Sequence, residues 1–127
     1  MKKYRIIIAI VLIMIVLIAG YLINRKGNNA KINYEIIPKE KENYIEGTKS
    51  KYKRGYEVIE KDNEYYLIIY GGERTSTDEL EVLNVETKRR NVKVTVRIIE
   101  GYGDAFSYPR AIIKFDKKPN KVNVIYK

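Results

Sequence analysis

The chain reads as a small all-β domain, an antiparallel sandwich or partly open barrel, preceded by one N-terminal transmembrane helix. Three observations predict this. The run from Ile6 to Ile23, IIIAIVLIMIVLIAGYLI, contains no charged residue. From Lys53 onward the chain falls into short apolar or alternating pieces at about ten-residue spacing, each bounded by turn formers. No stretch after the apolar run has the 3.6-residue repeat of an amphipathic helix.

The apolar run comes first. At about 1.5 Å per helical residue it reaches roughly 27 Å, close to the hydrocarbon thickness of a bilayer. Backbone groups in lipid must bond within their own segment, so the run is expected to be a helix. It is apolar on every face, which argues against a buried helix of a soluble protein. Lys2, Lys3 and Arg5 precede it, as in a secretory signal. The apolar part is longer than a usual signal core, however, and no cleavage point has small residues at both required positions. Cutting after Gly20 or Ala19 puts Ile18 or Leu17 at the outer position, and cutting after Ala30 puts Asn28 there, too far from the run. A retained anchor over residues 1–23 is therefore expected. The chain has no cysteine to carry a lipid, which excludes a lipoprotein. Arg25, Lys26 and Lys31 follow the span. The positive-inside rule and the short leading tail together favour the N-terminus inside and the C-terminal domain outside the cell membrane.

About a hundred residues remain, enough for one small domain. Without cysteine that domain has no disulfides and depends on its apolar core. This fits an exported bacterial protein better than a disulfide-rich secreted module. The net charge is +9. A basic exterior favours adhesion to a membrane or an anionic wall, or else is a solvated surface balanced by glutamates. Nucleic acid is not an expected partner, since no recognition motif is present.

Residues 24–50 read as a polar linker. Gly27-Asn28-Asn29, Pro38 to Asn43 and Gly47-Thr48 are turn formers and charges with little periodicity. Tyr34-Glu35-Ile36-Ile37 interrupts them as a possible edge strand. The β domain is expected over 51–127. Its first strand surrounds Tyr56 and Val58. Tyr65 to Tyr70, YYLIIY, is a continuous apolar run of central-strand length ended by Gly71-Gly72, where glycine permits a positive φ. Leu80 to Val85 is a further strand, and Lys88-Arg89-Arg90-Asn91 a charged turn. Val92, Val94, Val96 and Ile98 alternate with Lys93, Thr95, Arg97 and Ile99, the pattern of a half-buried strand. Gly101 to Asp104 is a loop, Ala111 to Phe115 a strand, Asp116 to Asn120 a turn, and Val122, Val124 and Tyr126 mark the last strand. Short strands at this spacing suit a sandwich or barrel.

From Tyr65 to Tyr126 the elements follow a recognisable order. Gly72-Glu73-Arg74 is followed by the strand Val92 to Ile98, then Gly103-Asp104-Ala105, Ser107-Tyr108-Pro109 and Ile112-Ile113-Lys114. In this order and spacing the chain resembles the PrcB C-terminal domain family, named for a subunit of a bacterial surface protease complex. It departs from the family at Thr75 to Leu80, where a glycine-containing run is usual, and in a shortened segment before Tyr108-Pro109. The resemblance implies an all-β exported module with a protein-binding role, and implies no catalysis.

The chemistry points the same way. With neither histidine nor cysteine, Ser-His and Cys-His nucleophiles, the usual zinc sites and haem ligation are all excluded. Only Ser50, Ser76 and Ser107 remain as serine nucleophiles, and no spacing supports a Ser-Lys pair. Asp78, Glu79 and Glu81 form the densest acidic cluster, read as a polar loop entering a strand with its charged face outward. No ordered ligand series for calcium is present. No cofactor and no metal are expected. Gly71 to Arg74 is a turn and not a phosphate loop, since it lacks the Lys-Ser/Thr ending and a following helix. Tyr108-Pro109 is a candidate for a cis bond and a fixed corner. Arg74, Tyr102, Phe106 and Tyr108 are the candidate partner-binding residues, because exposed aromatics and arginine make good anchors. The expected function is a non-catalytic binding subunit of an envelope complex, with a protease as one possible partner. The alternative is a wall-associated protein whose Lys88, Arg89 and Arg90 meet anionic polymer.

Overall fold

The structure is a computed structural model. It describes residues 2–29 and 31–127, with side chains described for 3–22 and 31–127. The chain divides into two compact units, residues 1–30 and 31–127.

The first unit is helix α1, Lys2–Asn29. Its segment Lys3–Leu22 is long and apolar enough to cross a membrane or to serve as a signal sequence, and none of its side chains is buried. The helix continues through Gly27-Asn28-Asn29, which the sequence places in the linker. The flanking charges Arg25 and Lys26 lie outside the residues whose side chains are described.

The second unit holds β1 (Tyr34–Ile36), the single turn α2 (Lys39–Glu42), β2 (Arg54–Lys61), β3 (Glu64–Gly71), β4 (Glu79–Lys88), β5 (Asn91–Ile99), β6 (Arg110–Phe115) and β7 (Lys121–Tyr126). The strands form two sheets, ordered β1-β6-β3-β2 and β4-β5-β7. The sheets share one core of Leu67, Ile69, Ala111, Ile113 and Phe115 from the first and Leu80, Val92, Val94 and Val96 from the second. The alternation in β5 is the cause: Val92, Val94 and Val96 point inward while Lys93 and Arg97 stay exposed. Two tyrosine hydroxyls tie the sheets together where no ladder joins them. Tyr56 donates to the Val122 carbonyl at 3.0 Å, and Tyr126 reaches the Gly55 and Tyr70 carbonyls, each at 3.1 Å.

Two expectations need correction. The domain begins at Lys31, not at 51. Ile32 enters the shared core, β1 pairs antiparallel with β6 at the sheet edge, and Ile45 packs on Ile68, Tyr70 and Ile112 on the opposite face of that sheet. The run YYLIIY is continuous because both its faces are covered: Leu67 and Ile69 face the other sheet, while Ile68 and Tyr70 face the 37–48 segment. The arrangement is also not wholly antiparallel, for β5 and β7 run parallel. The intervening strand β6 belongs to the other sheet, so the chain returns to its starting end before β7 begins.

The β2–β3 turn is the two-residue pair Asp62-Asn63, both at positive φ (53° and 63°). Short polar side chains tolerate this conformation, and it matches the twist of a hairpin.

Candidate functional site

The registers give the second unit two ends. At one end stand the loops 72–78 and 100–109, together with Lys51 and Tyr52. This end holds all four candidate residues.

Its base is an inward-facing aspartate. Asp78 is buried, contrary to the expected outward acidic face, because loop 73–78 folds over its own carboxylate. Ser76 Oγ donates to Asp78 Oδ1, the Gly101 amide donates to the same oxygen at 3.0 Å, and Arg74 Nε donates to Oδ2 at 2.6 Å. These donors, the Ser76 hydroxyl foremost, hold the carboxyl down at about 2. Glu79 and Glu81 instead stay at the surface, each in an ion pair, with Lys39 and Arg97 respectively. Further bonds complete the join between the loops: Arg74 and Ser107 exchange two backbone bonds of 2.9 Å, and the Thr77 side-chain hydroxyl donates to the Tyr102 carbonyl at 2.7 Å. The Ser107 hydroxyl donates to the Ser76 carbonyl and accepts from the Asp78 amide at 3.1 Å, so both serines are committed to this network. The approach is close enough that a Cβ on Gly101 would stand 1.9 Å from the Thr77 carbonyl oxygen.

On this base the four residues divide into two pairs. Tyr102 and Phe106 project, 93% and 65% exposed. Arg74 and Tyr108 are held. Arg74 is paired with Asp78. Tyr108 meets the Tyr52 ring edge-on, with centroids 5.1 Å apart, and Lys51 Nζ lies 4.3 Å over its ring. The Tyr108–Pro109 bond is trans, as is every peptide bond among the described residues. The corner is set instead by packing: the Gly71 amide bonds the Pro109 carbonyl at 2.8 Å, and a Cβ on Gly71 would press on the proline ring at 2.9 Å.

A second buried carboxylate, Glu57, escaped the sequence reading. Burial pushes its carboxyl up, but the Thr48 amide and hydroxyl, the Lys49 amide at 2.7 Å and the Tyr70 hydroxyl at 2.8 Å outweigh this and bring it to about 2. Tyr70 is raised in turn to about 12, by burial first and then by its bond to Glu57. The only signal in the sequence was an acid at an alternating strand position. Arg110 works beside it, donating to the carbonyls of Ile45, at 2.9 Å, and Glu42.

Among the described residues no group of three or more acidic side chains could hold a metal ion. No family model matches the chain, and neither a curated protein nor a solved structure matches it. The resemblance to the PrcB C-terminal domain rests on the residue pattern alone.

Proposed function

We propose that the protein is a membrane-anchored binding module, non-catalytic, with its domain outside the cell and its N-terminus inside. In this reading α1 is the retained single span, and the two sheets form a sandwich that presents loops 72–78 and 100–109 to an envelope protein. One observation carries the proposal: Tyr102 and Phe106 stand exposed on a loop whose base is bonded at both edges. Exposed aromatics on a rigid base lose little entropy on binding and suit a partner's apolar pocket. Arg74 and Tyr108 act as positioning residues. A subunit of an envelope protease complex is the partner class that the family resemblance suggests.

The test is capture from cross-linked intact cells with tagged full-length protein, followed by mass spectrometry. One dominant envelope protein should be enriched, and Tyr102→Ala with Phe106→Ala should abolish the enrichment while the domain melts normally. Equal recovery with the double variant would sink this reading.

A further inference from the structure

The domain's surplus positive charge gathers at the end opposite the aromatic loops. Residues 31–127 hold twenty basic residues against sixteen acidic ones, a net of +4. Two turns and the strand ends beside them carry six cations at that end: Lys88, which ends β4, with Arg89 and Arg90, and Lys117 and Lys118 with Lys121, which begins β7. The turns are neighbours, because the Asn120 amide bonds the Arg90 carbonyl at 2.8 Å and Asn91 pairs with Lys121.

None of the six forms an ion pair among the described residues, whereas Lys39, Arg74, Arg97 and Lys114 all do. Five acids share this end, namely Glu60, Asp62, Glu64, Glu86 and Asp116, and two of them are committed. Glu64 is paired with Lys114, and Asp116 accepts from the Asn33 amide at 2.8 Å. Arg89 keeps its charge at the hairpin tip with φ at 58°, a conformation glycine would take more easily. Beside it a concavity of about 790 Å³ opens between the β4–β5 hairpin and β7, with Lys88, Lys93, Lys121 and Glu86 on its walls.

The covalent link to α1 meets the domain at this same end. Lys31 opens the second unit, and its carbonyl accepts from Lys117 Nζ at 3.1 Å. Nine residue steps separate Leu22 from Lys31, roughly 30 Å fully extended and about 14 Å as helix. A span seated in a bilayer therefore holds the basic end within a few Debye lengths of the headgroups.

We propose that this end of the domain docks on anionic phospholipid headgroups, with the cations of the two turns bonding phosphate oxygens. The inference rests on α1 being seated in a membrane, as proposed above. Docking would leave the aromatic loops pointing away from the bilayer, free for a protein partner.

The chain has no cysteine, so one introduced cysteine labels a single site. Full-length protein carrying a fluorophore at Asn120→Cys or Tyr102→Cys is reconstituted into vesicles with headgroup-attached quencher. With phosphatidylglycerol present, quenching at position 120 should be about twofold stronger than in pure phosphatidylcholine, and high salt should remove the difference. Arg89→Glu with Lys118→Glu should remove it too, and the probe at 102 should not respond. Equal quenching in both lipids would overturn the proposal. So would full displacement by soluble poly(glycerol phosphate), which would assign the surface to wall polymer. Release of the protein by alkaline carbonate would instead overturn the anchor reading. Co-sedimentation of that released protein with anionic but not neutral vesicles would still decide the docking.

Discussion

Glu57 and Asp78 are the same device used for two purposes. Each is an inward carboxylate that gathers donors from a neighbouring segment, and each is held at about 2. Glu57 fastens residues 48–49 over the second face of the first sheet, where Ile45 covers Ile68, Tyr70 and Ile112. Asp78 fastens two surface loops to each other. One closes a layer of the core and the other stiffens a platform. The contrast predicts that damage at Glu57 appears in stability, while damage at Asp78 appears in recognition.

Glu57→Ala should give the largest effect. It strands the Thr48 and Lys49 amides and the Tyr70 hydroxyl, for a loss of about 2 to 4 kcal/mol. Thermal melting of the full chain would show it as a drop of roughly 10 °C or more. Gly47→Ala should approach that loss by another route, because its Cβ would sit 1.9 Å from the Tyr70 hydroxyl oxygen and drive the ring from Glu57. If either variant melted like the parent, the covering segment would not be part of the cooperative unit.

Acid should act on both carboxyls together. Their ordinary values are 4.5 and 3.8, and the fold lowers both to about 2. A lowered carboxyl stabilises fully above its unfolded value and loses that contribution as pH falls through its folded one. Melting temperature should thus hold at neutral pH and fall between about pH 5 and pH 2. Glu57→Gln should flatten this acid limb more than Asp78→Asn. The reverse order would break the contrast.

Asp78→Asn should lower the melting temperature less than Glu57→Ala, yet weaken partner capture about tenfold by loosening the loops. The smallest stability change is expected for Tyr102→Ala, within about 0.5 kcal/mol, since the side chain is almost wholly exposed. Its effect should fall on capture alone.

The strands were legible wherever the side-chain period carries the information. Val92 to Val96 alternates as written, and Tyr65 to Tyr70 signals a strand buried on both faces. The layer covering that second face was not legible. Ile32 stands alone between Lys31 and Asn33, Ile37 closes a four-residue piece before Pro38, and Ile45 follows a charged run, so these apolar plugs share no period to read. Asp78 lies in a run of polar residues and is turned inward only by the closing of loops 72–78 and 100–109 around its carboxylate. Strand direction was equally hidden, because period two is the same in parallel and antiparallel ladders and β7 betrays nothing of its partner. Tyr102 and Phe106 were identifiable as exposed aromatics, whereas nothing in the polar run marked Asp78 as the partner of Arg74 four residues before it, and Tyr52, which meets Tyr108, is distant and unremarkable in the sequence.

The parallel pairing of β5 with β7 also sets an order of events during folding. The hairpins β2–β3 and β4–β5 are local and can close early. The core face of β5 stays open until β6 has crossed to the other sheet and β7 has returned beside it. β1 must likewise wait for β6, which lies some eighty residues further along. Such long-range closures place the domain among slowly folding β proteins, with apolar strand edges bare in the meantime. If the domain is carried across a membrane, as proposed above, the late arrival of β6 and β7 leaves both sheets incomplete until the last strand has emerged.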